Sequence, residues 1–409
     1  MRERYFYIGI DLQEDSAMLS FYTENQKEPE TMGTVAGSEV YQIPMVVTKR
    51  KGIGQWFFGE DAKRMAAAEG TEAIEHLLKR AIQKEVVSIE GESYEAVHLL
   101  GLFLKKLLLL PNKLGNPMLP DKLVIVRESL RPNEIAMFEE LLPQLGLTAE
   151  QFMLIDKKES FYYYLYHQEE ELWLHDVFLF DYGREKLRYF IAEKNKRTVP
   201  QLIVLEEGET EIAEREKDSS FYNAILGLFR KRIVSSVFLI GDGFDGKWMQ
   251  RSLAELCRGR RVFMGKNLYS KGACYAAMAK ENPDDWNFVY MGDGEVKMNL
   301  FLKVRKKGVE EFYTLISAGE SWYDVNRVCE VLLEGTPEID FWIQSPHESE
   351  AKVETLELSD LPKRPDKMTR LRIQVKPQSD HEVEIKIRDL GFGEIWKSSE
   401  KSWEYRMEL

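Results

Sequence analysis

Apolar and polar positions recur with two different periods along the chain, and the change from one to the other divides it. From Tyr5 to Tyr22 the run Tyr-Phe-Tyr-Ile-Gly-Ile-Asp-Leu-Gln-Glu-Asp-Ser-Ala-Met-Leu-Ser-Phe-Tyr is apolar on either side of a short polar stretch, the pattern of two strands joined by a tight loop. Tyr41 to Val47 and Gln55 to Glu60 add two short strands. Glu60 to Glu85 and Ser93 to Leu110 carry helical spacing, the second stopped by Pro111. Lys122 to Val126, Pro132 to Leu145, Phe152 to Ile155 and Lys158 to His167 then alternate strand and helix, which predicts a parallel layered sheet.

At Asp176 the opening device recurs. Val177 to Gly183 runs up to an acid and a glycine, Leu187 to Ala192 runs back, and Pro200 to Glu206 adds a strand. A helix from Ser220 to Arg232 leads to the buried strand Val237 to Ile240. That strand runs into Gly241-Asp242-Gly243, after which come a helix to Cys257, a strand at Arg261 to Phe263 and a helix from Ser270 to Lys280. Beyond the polar break Glu281 to Asp285 the period becomes two: Val296, Met298, Leu300, Leu302 and Val304 alternate, as do Leu371, Ile373 and Val375, then Val383, Ile385 and Ile387. Helical spacing returns only near Asp324 to Leu333. The expected class is α/β plus β, with an antiparallel β-sandwich from about residue 286 onward.

Composition narrows the function classes. The net charge of -13 argues against nucleic acid as a partner, because phosphate binding is driven by Lys and Arg releasing counterions. Basic clusters at Lys49 to Lys51, Arg258 to Arg261 and Lys303 to Lys307 sit at element ends and read as solvated turns. Cys257, Cys274 and Cys329 are widely spaced and odd in number, so they read as reduced, buried thiols. The charges at Arg2 to Arg4 precede too short an apolar run for a signal peptide. The longest apolar run, Leu99 to Leu110, is broken by Lys105 and Lys106, so no membrane insertion and a cytoplasmic location are expected. His-Glu-x-x-His and Gly-x-Ser-x-Gly are missing from the sequence, and the Gly-x-x-x-x-Gly-Lys spacing at Gly241 to Lys247 is followed by Trp248 where a phosphate loop needs Ser or Thr. Asp11, at the bend of the first hairpin, is either a turn residue bonding its own backbone or a carboxylate beside a metal and a phosphate.

Gly9-Ile10-Asp11-Leu12-Gln13-Glu14-Asp15, Asp181-Tyr182-Gly183-Arg184-Glu185-Lys186 and Ile240-Gly241-Asp242-Gly243 occur in the order of the phosphate and adenosine motifs of the actin-like ATPase superfamily. Within that superfamily the chain resembles the seventy-kilodalton heat-shock chaperones. Ile43 to Val47 with Phe58 to Lys63, Leu123 to Tyr166 and Lys271-Gly272-Ala273 resemble further segments of the same nucleotide domain. Phe312 to Ile316 and Leu356 to Ile395 resemble the family's peptide-binding sandwich.

The resemblance implies a two-lobed actin-like (ribonuclease H-like) ATPase fold in residues 1–175 and 176–283, followed by a sandwich in 286–409. It implies a site for ATP or ADP with magnesium at Gly9, Asp11, Asp181, Gly183, Gly241, Gly243 and Gly272. Asp11 and Asp181 would hold the metal through water, and Glu159 would act as the catalytic base or else simply suit a helix start. Phe312, Tyr313, Trp322 and Trp342 are the candidate anchors for a bound polypeptide, or sandwich core.

Departures from the pattern weaken the chemistry. Glu14 and Asp15 stand where the family supplies phosphate donors, and two unit charges ~4 Å apart at an effective dielectric near 20 interact by about 4 kcal/mol. The second loop keeps one glycine of three, and Arg184 and Lys186 there are either phosphate contacts or solvated tips. Lys79 and Lys84 are candidates for a phosphate-reaching lysine without motif support, and the family's base-covering insertion, leucine-rich linker and helical lid have no counterpart in the sequence. The expectation is a chaperone-like protein with a weak or inactive nucleotide domain, a pseudo-ATPase that uses no cofactor if the site is lost. The alternatives are a slow magnesium-dependent ATPase and an actin-like scaffold of a bacterial assembly.

Overall fold

Phe6–Leu12 (β1) and Ser16–Thr23 (β2) are buried at nearly every position, because the strands are covered on both faces. They pair antiparallel, Phe6 opposite Thr23 and Leu12 opposite Ala17, around a turn closed by the Gln13 N–H donating to the Ser16 carbonyl at 2.9 Å. A computed structural model describes residues 5–33, 40–89, 91–115, 119–183, 186–194, 201–283, 286–346, 348 and 350–409. Arg2, Arg4, Arg184, Glu185, Pro200, Asp284 and Asp285, which the sequence singles out, lie outside these.

Glu30–Thr31 (β3) pairs with β2, while Lys122–Arg127 (β4) and Phe152–Asp156 (β5) run parallel to β1, giving the order β5-β4-β1-β2-β3. Asp176–Tyr182 (β6), Leu187–Lys194 (β7), Gln201–Thr210 (β8), Val234–Ile240 (β9) and Arg261–Gly265 (β10) form a second sheet in the order β10-β9-β6-β7-β8. The order and polarity match: β6 has an antiparallel partner on one side and parallel ones on the other, as β1 does. Residues through Lys194 and Ile203–Asn287 cluster into one compact unit, and Phe288–Leu409, with the stretch ending at Leu202, into another.

Helices cover the sheets. Gly59–Glu69 (α1) ends at Gly70, whose φ of 63° the chain needs to turn away. The single helix expected over Glu60 to Glu85 is therefore broken, with a separate helix at Leu77–Ile82. Ser93 to Leu110, also expected to be helical, starts as a strand: Glu92–Glu95 pairs with Val86–Ile89 before Ala96–Leu108 (α2) begins. Pro132–Leu145 (α3) carries a proline at its start, where no N–H is needed, and a second, Pro143, inside its last turn. Lys157–Tyr166 (α4) follows β5, and its cap Asp156 accepts the Glu159 N–H at 2.7 Å. Lys217–Leu228 (α5) and Leu268–Glu281 (α6) complete this unit's main helices.

In the second unit Asn299–Lys306 (β11), Val309–Ile316 (β12), Glu338–Gln344 (β14) and Lys352–Glu357 (β15) form a sheet in the order β12-β11-β14-β15. Arg327–Leu332 (β13), Arg370–Pro377 (β16), Glu382–Gly391 (β17) and Ser402–Glu408 (β18) form another in the order β13-β16-β17-β18. The helix expected near Asp324 to Leu333 is instead β13, because pairing with β16 decides where local spacing is ambiguous. Leu300, Leu302, Phe341 and Ile343 share a core with Leu371, Ile373, Val375, Val383, Ile385 and Ile387. Asp389 is wholly buried there, yet satisfied: Arg364 donates two bonds of 2.8 Å, and Gly391 N, Ser399 N and Ser399 Oγ donate three more. The cysteines are free, with Cys274 buried, Cys329 half-buried and Cys257 exposed, so the expectation of three buried thiols holds for Cys274 alone.

Candidate functional site: an ion-paired cleft between two sheets

The matching topology places one acid at the penultimate position of each central strand, Asp11 on β1 and Asp181 on β6. Carboxyl ends of such strands are where layered α/β sheets take ligands. A cleft of about 380 Å³ opens there, lined among others by Asp11, Gln13, Glu14, Asp15, Lys157, Asp181, Lys186, Arg188, Lys266 and Tyr269.

Lys157 is the first residue of α4, where the helix dipole disfavours a cation. It is held there by carboxylates: its ammonium lies 2.9 Å from Glu128 and 3.2 Å from Asp181. Arg188, the register partner of Asp181 across the β6–β7 hairpin, reaches Asp181 at 3.4 Å and also pairs with Glu128. Glu128, Lys157, Asp181 and Arg188 thus close a ring of alternating charge. Glu128 and Lys157 come from the first sheet's side and Asp181 and Arg188 from the second. Tyr269 of α6 donates to Asp181 at 2.9 Å, and the Lys157 ammonium sits 5.1 Å from the centre of its ring.

The charges answer this packing. Burial acts to lower the pKa of Lys157, but Asp181, Asp11 and Glu128 outweigh it and hold the ammonium more firmly protonated than an ordinary lysine. Burial also works against ionised Glu128, which its bonds to Arg188 and Lys157 nevertheless pull down to about 2. For Asp11 burial wins, raising its pKa despite Lys157 and the Gln13 amide that donates to it at 3.0 Å.

The expected site residues scatter when placed. Asp11, Asp181, Gly183 and Gly241 line the cleft, while Gly9, Gly243, Gly272 and Glu159 are not among its described lining residues. Gly9 instead lets α6 approach β1, since a Cβ there would stand 2.2 Å from the Ser270 carbonyl oxygen. At Gly272 a Cβ would meet the Ser160 carbonyl oxygen at 2.2 Å, so this glycine allows α4 and α6 to cross. Gly241 and Gly243 make room for Tyr182, whose carbonyl oxygen and ring stand 2.3 and 2.5 Å from the missing Cβ atoms. Glu159 is buried in the first turn of α4.

Asp15 pairs with His76 at 2.6 Å, and both it and Glu14 line the cleft. Lys186 pairs with Glu209 at 2.8 Å, and Lys266 with Asp242 and Asp245 at 2.7 Å each. Lys79 and Lys84 are exposed and do not line the cleft. Lys157 lines it beside Lys186 and Lys266, and with Glu128, Arg188 and Tyr269 it forms a network that motif matching passes over. Two signals for it exist in the sequence: a Lys-Lys pair opening a helix, and Arg188 falling opposite Asp181 once the hairpin is folded about its loop.

Magnesium between Asp11 and Asp181 does not fit this arrangement. A cation is already supplied by the chain, and Asp181 is engaged by Lys157, Arg188 and Tyr269. Every lysine and arginine among the described lining residues is bound to a carboxylate. No cluster of three or more His, Cys, Asp or Glu residues able to hold a metal occurs among the described residues.

In the sandwich the four anchors separate. Phe312 and Trp342 come together on the outer face of the β12-β11-β14-β15 sheet, their rings 5.3 Å apart, with Phe301 6.0 Å from Phe312. Tyr313 points the other way along β12, opposite Leu302. Trp322 packs against the sandwich core and edge-on to Tyr323.

Two sheets of one topology around an ion-paired cleft, and a β-sandwich, define the protein as a mixed α/β plus β chain. It belongs to the family of unknown function DUF5716, whose C-terminal model matches residues 28–293. Residues 295–409 match DUF8552, a domain of unknown function. No curated protein matches the chain. No helix among the described residues is long and apolar enough to cross a membrane.

Proposed function

We propose that the first unit is an actin-like pair of ribonuclease H-like lobes that has exchanged its magnesium-nucleotide site for internal ion pairs, and that the protein acts as a chaperone-like binder of polypeptide through its sandwich. The duplicated strand order supports the fold reading. The observation that carries the loss of nucleotide chemistry is the ring of Glu128, Lys157, Asp181 and Arg188. A lysine ammonium fixed beside Asp181 does for the carboxylates what a hydrated metal does in an active site, but it gives a phosphate chain nothing to coordinate. Gln13 is bonded to Asp11, and Glu14 adds negative charge at the entrance.

The ring also ties the two sheets together, so this unit serves as a rigid support instead of cycling with nucleotide. Isothermal titration with magnesium-ATP and magnesium-ADP tests the reading. No saturable heat is expected up to about 1 mM ligand, which corresponds to binding weaker than about 4 kcal/mol. Saturable binding accompanied by phosphate release would establish an ATPase instead.

A further inference from the structure

We propose that the outer face and open edge of the sandwich sheet that begins at β12 take an extended polypeptide segment bearing a carboxylate at one end. The inference rests on the sandwich being a protein-binding module, and it adds where and what that module binds. Among the described residues β12 pairs on one side only, with β11, and Val309 to Thr314 are all exposed. That leaves a row of backbone donors and acceptors for an added strand.

Beside the edge, Thr314, Phe301, Trp342 and Val353 lie in register across four strands. Phe312, 54% exposed, leans on Phe301 and Trp342. Trp342 Nε1 is buried without a hydrogen-bond partner among the described residues. Buried donors are seldom left unpaired, so the aromatic row has a polar requirement that the described residues do not meet.

Charge selects the segment. The β11–β12 hairpin carries four cations, Lys303, Arg305, Lys306 and Lys307, against two carboxylates, Glu310 and Glu311. Glu310 is shared by Lys303 and Arg305, Arg305 also reaches Glu334 at 3.4 Å, and Glu311 pairs with Lys306. Lys307, at the turn with φ 52°, makes no ion pair among the described residues. An apolar strand lying along β12 with an Asp or Glu toward this turn completes both features, whereas a segment ending in lysine meets like charge.

Fluorescence anisotropy on the full chain tests this, using labelled peptides of alternating Val and Thr that end in either two Asp or two Lys, alongside an array of unfolded-protein peptides. The acidic peptide is expected to bind about tenfold tighter than the basic one at low salt. Phe312→Ala should weaken it by about tenfold, as loss of an aromatic anchor does. Lys307→Glu should reverse the preference between the two peptides. Both residues are exposed, so circular dichroism should show the fold kept. If array peptides bind and neither substitution alters their affinity, this site is wrong while the sandwich still binds polypeptide elsewhere. If no peptide binds at all, the underlying reading fails with it. Concentration-dependent dimers that Phe312→Lys abolishes would make the face a contact between copies and overturn the peptide occupant.

Discussion

Replacing Lys157 by Met keeps the length of the side chain and removes the charge shared by Glu128, Asp181 and Asp11. Breaking a buried ion pair by deleting one partner costs about 3–5 kcal/mol, because the other charge is left without compensation. Arg188 still serves both Glu128 and Asp181, and Tyr269 still donates to Asp181, so the low end, about 3 kcal/mol, applies here. For a unit of this size each kcal/mol moves the melting midpoint by about 2–4 °C, so a drop of roughly 6–12 °C is expected by calorimetry.

The loss should also depend on pH. Lys157 restrains the pKa of Asp11, which burial already holds above the usual carboxylate value. Without the lysine Asp11 rises further. An acid whose folded pKa exceeds its unfolded one subtracts stability as pH climbs from the unfolded value through the folded one. The gap between variant and wild type therefore narrows as the pH is lowered toward the ordinary carboxylate value. A Lys157→Met protein within about 0.5 kcal/mol of wild type at neutral pH, the spread of ordinary surface substitutions, would refute the ring as a structural counter-ion.

Gly272→Ala should destabilise the first unit by about 1–3 kcal/mol or more in urea melts, since its Cβ would stand 2.2 Å from the Ser160 carbonyl oxygen and the backbone of α4 must shift. An unchanged midpoint would remove this glycine's packing role. His167 is stacked between Tyr275 at 4.3 Å and Trp286 at 4.7 Å, and burial lowers its pKa to about 4 despite a bond to the Tyr163 carbonyl. Because the unfolded chain takes up that proton first, stability is present above the unfolded value near 6.5 and is lost as pH falls through about 4, by on the order of 3 kcal/mol. His167→Phe should flatten that acid limb in pH-dependent melts, and an identical slope in the variant would rule the residue out as its source.

The layers were legible because each rests on a local rule. β1, β4, β6 and β9 are continuous apolar runs, as strands buried on both faces must be, and α3 is bracketed by Pro132 and Gly146. The misreadings arose where local preference and partner disagree. Arg327–Leu332 has spacing that a helix or a strand can use, and β16 decides it. Val86–Ile89 and Glu92–Glu95 are too short to announce a hairpin before each finds the other.

The cleft was legible in its acids and, among its cations, only in Lys186, for a physical reason. Asp11 and Asp181 sit at strand ends whose position follows from hairpin length, so an ordered pair of motifs locates both. What faces them is set by three separate connections: the end of β4 for Glu128, the first turn of α4 for Lys157 and the return strand β7 for Arg188. Sequence spacing within any one of these says nothing about the gap between two sheets. The glycines show the converse. Gly9, Gly272 and Gly243 resemble nucleotide-site glycines in order, yet each is required by a helix, strand or ring that crowds it. A glycine matches a ligand-site motif in position whenever packing alone requires the lack of a side chain. Lys157 is therefore the sharper test of whether the cleft takes nucleotide, because apolar packing alone gives no reason to place a cation at the start of α4.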